Sequence, residues 1–116
     1  MPFELRWTPR GLDEYNALRA AAEAARAGRE AQGRAKSSKA EGLFRQVVKT
    51  VALLGDNPKH PGLNTHEYDS LDHPHDPKDK VREAFVPNNT PGAYRLFWCY
   101  GLQKGQITII AITPHR

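Results

Sequence analysis

Two apolar runs near the C-terminal end, Tyr94 to Tyr100 and Gln106 to Thr113, are separated only by Gly101-Leu102-Gln103-Lys104-Gly105. A connection that short cannot carry a crossover, so the runs must pair antiparallel as a hairpin. Val81-Arg82-Glu83-Ala84-Phe85-Val86 precedes them across the turn Pro87 to Gly92 and reads as a third strand. Thr65 to Leu71 is a candidate fourth, short strand, followed by the polar, proline-broken stretch Asp72 to Asp79. The last strand runs directly into Pro114-His115-Arg116, placing an imidazole and a guanidinium at the end of the most apolar segment.

The other half of the chain has a different period. Phe3, Leu5 and Trp7 alternate with Glu4 and Arg6, as in a half-buried strand. Thr8-Pro9 then offers a helix cap and a first-turn proline, and Leu12, Tyr15, Leu18, Ala22 and Ala25 recur at helical spacing. The helix should reach at least Arg26. Gly28 to Lys36 holds two glycines and no large apolar residue, and reads either as a frayed helical extension or as a mobile basic turn, the turn being the expectation. Ser38-Lys39-Ala40-Glu41 is a capping box that opens a second helix, with Leu43, Phe44, Val47, Val48, Val51 and Leu54 on one face and Gly55 at its end. The order strand, helix, helix, strands predicts an α+β domain, with a helical hairpin on one face of an antiparallel sheet.

Residues 1–116 fit a single domain, which at this length buries roughly 65% of the surface of its unfolded chain. The net charge of +4 resides in residues 1–50, which carry ten Lys/Arg against six Asp/Glu, while residues 51–116 balance at seven each. That tilts the expectation towards a polyanionic partner. Cys99 is the only cysteine, so an internal disulfide and a multi-cysteine zinc site are excluded; it reads as a small core residue of a reducing compartment. The N-terminus lacks the apolar core of a signal peptide and no run is long enough to span a membrane, so the cytoplasm is the expected location. His60, His66, His73 and His75 with Asp72 and Asp76 are metal-ligand types, but their spacing matches no standard site and no metal is predicted.

The order of elements, together with Tyr94-Arg95-Leu96-Phe97-Trp98, the loop residues Asn57-Pro58 and Pro61-Gly62-Leu63, and Ile107 to His115, resembles the RelE/ParE superfamily of type II toxins. The first of these segments is similar to the family's "YRLVY" strand. The resemblance covers essentially the whole chain and implies the toxin of a toxin–antitoxin pair, neutralised by a cognate antitoxin protein. In nuclease members of that family a positively charged cleft holds messenger RNA on the ribosome. By that resemblance Arg95 would contact the scissile phosphate, His115 would serve as acid or base towards the ribose 2′-hydroxyl, and Arg116, where YoeB-like members have a terminal tyrosine, would bind phosphate. No cofactor is implied. ParE-like relatives act on DNA gyrase without a nuclease site, so a non-catalytic gyrase-binding or relic module on the same fold is the alternative.

Further candidates for RNA contact are Arg82, His66, and the basic residues Arg34, Lys36 and Lys39 of the expected turn. Each has a plainer reading. Arg95 can pair with Glu83 across a hairpin, and the charged run can be a solvated surface. The strand lysines of RelE fall near Glu83 and Phe85, neither of which replaces a cation.

Overall fold

The computed structural model describes residues 2–34, 36–69, 71, 73–76, 78–86 and 93–114. His115 and Arg116 therefore lie outside the described residues, as does the turn 87–92. The elements are β1 (Glu4–Trp7), α1 (Pro9–Ala31), α2 (Lys39–Asp56), a 3-10 turn (Pro61–Leu63), β2 (His66–Tyr68), β3 (Val81–Phe85), β4 (Arg95–Tyr100) and β5 (Gln106–Thr113). This is the expected α+β arrangement. The sheet order is β1-β5-β4-β3-β2, with β2 to β5 antiparallel and β1 parallel to β5. The parallel pair arises because both helices intervene between β1 and the rest, and a crossover of that length permits it.

Both caps form as the sequence requires. The Thr8 hydroxyl accepts from Gly11 N–H at 3.0 Å, with Pro9 in the first turn. Ser38 Oγ accepts from Glu41 N–H, and the Glu41 carboxylate accepts from Ser38 N–H at 2.7 Å. The segment from Gly28 departs from the expected turn: α1 continues to Ala31, and Gly33, at φ 71°, ends the excursion. A glycine inside a helix costs about 1 kcal/mol, and here side chains offset it. Arg26 bonds Glu30 at 2.9 Å, and Arg29 Nε reaches both carboxylate oxygens of Glu41 at 2.9 Å, tying the two helices at the hairpin tip. Ionic contacts of this kind carry no apolar signature and so are invisible to hydrophobic periodicity.

The helices cover one sheet face. Val47, Leu54, Leu63, Leu96, Trp98, Ile107, Ile109 and Ile112 form the main core there, with Leu5, Trp7, Tyr15 and Tyr100 packed against it. Beyond Trp7 the edge of β5 has no strand beside it among the described residues, and α1 takes over the pairing. Thr8 N–H donates to Ile109 O at 3.0 Å, the Thr8 hydroxyl donates to Ile110 O at 2.8 Å, and Glu14 Oε1 accepts from Ile112 N–H at 3.0 Å. Ile110 is the extra residue of a bulge, since Phe97 faces Ala111 while Trp98 faces Ile109. So close an approach requires glycine at position 11, where a Cβ would stand 2.6 Å from Ile109 O.

On the opposite face a smaller cluster gathers Val81, Phe97, Cys99, Ile110 and Ala111 beneath Tyr68 and Leu71. Cys99 is fully buried, as a core residue should be, and burial pushes its thiol up to about 11.

Candidate functional site

Alternation along the strands decides which groups meet. On β4, Leu96, Trp98 and Tyr100 point to the helices, so Arg95 lies on the face that the helices leave open, with Phe97 and Cys99. On β3 the register Glu83↔Phe97 and Phe85↔Arg95 puts Glu83 and Phe85 on that open face, and His66↔Glu83 adds His66 from β2. Arg95, Glu83, Phe85 and the exposed His66 therefore form one cluster.

Arg95 is held on three sides. Its Nη1 donates to Ala93 O at 2.7 Å, its guanidinium carbon sits 3.8 Å from the centroid of the Phe85 ring, and Nε lies 3.9 Å from Glu83 Oε2. The two charged side chains are only 13% and 14% exposed. At 3.9 Å the pair is electrostatic rather than hydrogen-bonded, and Arg95 Nε is buried with no partner among the described residues. The imidazole of His66 packs tilted against the Phe85 ring at 5.6 Å. Thr113 is the register partner of Arg95, so the strand leading to His115 passes beside the guanidinium.

Charge on this face is balanced rather than positive among the described residues. Glu83 stands beside Arg95, and on the far edge Glu4 Oε2 lies 3.4 Å from Arg6 Nη1. Of the two readings of Arg95, phosphate contact or cross-strand pair, the geometry contains the pair.

The other candidates do not join this cluster. Arg82 alternates with Glu83 and points to the helix side, over the rings of Tyr100 and Trp98 at 4.9 and 5.7 Å. Arg34, Lys36 and Lys39 are exposed at the tip of the helical hairpin, about 30 Å along α1 from the Gly11 contact with β5. His115 and Arg116 fall outside the described residues.

The His-rich loop has a structural use. His73 Nδ1 accepts from the backbone N–H groups of His75 and Asp76, both at 3.0 Å, while Nε2 lies 3.2 Å from Tyr100 O. His75 Nε2 is 3.2 Å from Thr108 Oγ1, whose proton goes to Gly101 O at 2.9 Å. These bonds fasten the loop to Tyr100 at the end of β4 and to Thr108, the register partner of Cys99. No group of three or more His, Cys, Asp or Glu side chains suited to a metal ion occurs among the described residues.

Sequence reasoning missed the role of Phe85 as a platform shared by Arg95 and His66. An aromatic at that position reads as one more core residue until the register is known.

No protein-family model and no curated protein matches the chain. A structural comparison finds a chain of the crystal structure of the archaeal RelE-RelB complex from Pyrococcus horikoshii OT3, with a TM-score of 0.54 and 13% identity, over 98% of this chain and 96% of that one. The protein thus has a RelE-like fold. No helix of the described residues is long and apolar enough to cross a membrane.

Proposed function

We propose that this chain is the toxin of a toxin–antitoxin pair, that an antitoxin covers it, and that it acts in the cytoplasm on messenger RNA at the ribosome. The observation that carries the reading is the position of Arg95, a strand guanidinium on the sheet face free of helices, sharing the Phe85 ring with an exposed imidazole and paired with β5 at Thr113, two residues before His115 in the sequence. In such a site the ribose 2′-oxygen attacks the adjacent phosphorus and the bond to the 5′-oxygen breaks. One group removes the 2′ proton and another protonates the leaving oxygen. Arg95 would stabilise the charge that develops on the phosphoryl oxygens, with His115 or His66 to carry the proton and Arg116 on phosphate. The RelE-like fold adds weight as an analogy, because the neighbouring structure is of a RelE-RelB complex.

One observation favours a second reading. Glu83 already neutralises Arg95, which suits a non-catalytic module, either a gyrase inhibitor or a relic, better than a phosphate clamp.

Inducible expression in bacteria with mapping of transcript ends separates the two. The nuclease reading expects growth arrest with cleaved translated messages, loss of both on His115→Ala, and stronger cleavage on Glu83→Gln, which frees the guanidinium. Arrest with intact transcripts and DNA damage would point to gyrase, and unimpaired growth to a relic.

A further inference from the structure

On the helix side of the sheet, past the C-terminal end of α2, lies a cavity of about 630 Å³ lined by Phe3, Pro58, Lys59, Thr65, Arg82, Trp98 and Tyr100. It is separate from the Arg95 cluster, because Arg82, Trp98 and Tyr100 alternate with the residues of the open face. Its size is in the range of about 300–1,000 Å³ typical of small-molecule sites.

Among the described residues the lining has an unusual balance: two cations, three aromatic rings and no carboxylate. Both cations lack an acidic partner among the described residues. Glu67, the register partner of Arg82, instead pairs with Lys80 at 3.2 Å, and the one hydrogen bond of the Arg82 side chain among the described residues is a long 3.5 Å contact to Lys80 O. Arg82 is oriented by ring faces, which hold a guanidinium in place without occupying its N–H groups. Phe3 and Tyr100 sit 6.1 Å apart, and Trp98 meets Tyr100 edge-on at 5.0 Å.

Two further atoms are left without partners among the described residues. Trp98 is 1% exposed, and its indole Nε1, a donor only, is buried with no acceptor; the hydroxyl of half-buried Thr65 is buried likewise. Buried donors without acceptors are rare in folded proteins and ask for a partner that the described residues do not supply.

We propose that this cavity binds a nucleoside monophosphate, with the phosphate between Arg82 and Lys59 and the base against the rings of Phe3 and Tyr100. The absence of a lining carboxylate selects an anion, and the aromatic wall selects one that carries a flat ring. The site is independent of the proposed toxin activity, since no residue of the Arg95 cluster takes part.

The test is an NMR titration of ¹⁵N-labelled full chain with AMP, followed at the indole N–H signals of Trp7 and Trp98. Trp7→Phe assigns them. The expected result is a saturable shift of the Trp98 signal with a Kd of about 1 mM or tighter, and at least about tenfold weaker binding of adenosine and of inorganic phosphate. Arg82→Gln and Lys59→Gln should each weaken AMP by at least about threefold, a reduction expected from loss of one charge-assisted contact. Lys59 is exposed in a loop, so its variant keeps the test valid if Arg82→Gln unsettles the packing on Tyr100. No saturable shift with AMP, or equal binding of phosphate and AMP, or unchanged AMP affinity in Lys59→Gln would overturn the proposal.

Discussion

Loss of toxicity on removing Arg95 would mean little unless the fold survives, and the structure allows the cost to be estimated. At 3.9 Å from Glu83, opposite unit charges attract by about 4 kcal/mol at an effective dielectric of 20, a ceiling, and by about 1 kcal/mol in bulk water. Exposed pairs are worth about 0.2–1 kcal/mol, and stripping one partner from a buried pair costs about 3–5 kcal/mol. With 13% and 14% exposure and no direct hydrogen bond, this pair belongs between those limits, at a coupling of about 1–2 kcal/mol. Arg95→Met keeps an apolar stem near Phe85 but gives up the cation–π contact, about 0.5–2 kcal/mol, and leaves Glu83 half-buried and alone. The single variant should therefore lose about 2–3 kcal/mol, and the double variant Arg95→Met/Glu83→Gln should be no less stable than that single. A double-mutant cycle by urea denaturation measures the coupling directly. A value below about 0.3 kcal/mol would refute the argument that Glu83 neutralises Arg95. If the coupling is found, the double variant is the folded control for any loss of activity.

Three other outcomes are expected. Gly11→Ala should destabilise by about 1–3 kcal/mol, because its Cβ meets the backbone of β5, whereas Gly28→Ala in the same helix, with nothing within 4 Å, should stabilise by about 0.5–1 kcal/mol; thermal melts of the pair read the opposite signs. Cys99, buried and with its thiol pushed up to about 11, should resist thiol reagents at neutral pH until denaturant opens the sheet, and rapid labelling of the native protein would contradict its burial. The Glu41 carboxyl is lowered from its ordinary range by the Ser38 backbone N–H, with Arg29 assisting, so its contribution is present above the ordinary carboxylate range and lost as pH falls through its folded value. Stability of Glu41→Gln should accordingly fall less steeply on acidification, while Ser38→Ala should cost about 1 kcal/mol at neutral pH.

Much of the fold was legible because its signals are local. A capping box at Ser38 and Glu41, a threonine followed by proline at Thr8, and five residues between β4 and β5 each act over a few positions and need no knowledge of the rest. α1 runs past Gly28 because Arg29 closes on Glu41 across the hairpin, a contact between residues that share no periodic stripe.

The site was legible in residue type and not in arrangement. Val81, Glu83 and Phe85 on one side and Arg82, Ala84 and Val86 on the other give each face of β3 similar apolar character, so the sequence cannot say which side meets the helices. The register resolves it, sending Glu83 and Phe85 to Arg95, and Arg82 to Trp98 and Tyr100.

The chain by itself determined which segments are helix and which are strand, where the helices begin, and that the C-terminal strands pair antiparallel, since short-range sterics, capping and turn length settle these. Only the tertiary structure decided that β1 lies parallel to β5, that α1 completes the hydrogen bonding of the β5 edge, and that Arg82 and Arg95 occupy opposite faces. Those outcomes depend on pairing between residues as far apart as Glu4 and Gln106 and on the two-residue period of a strand, by which one step in register exchanges the buried face for the open one.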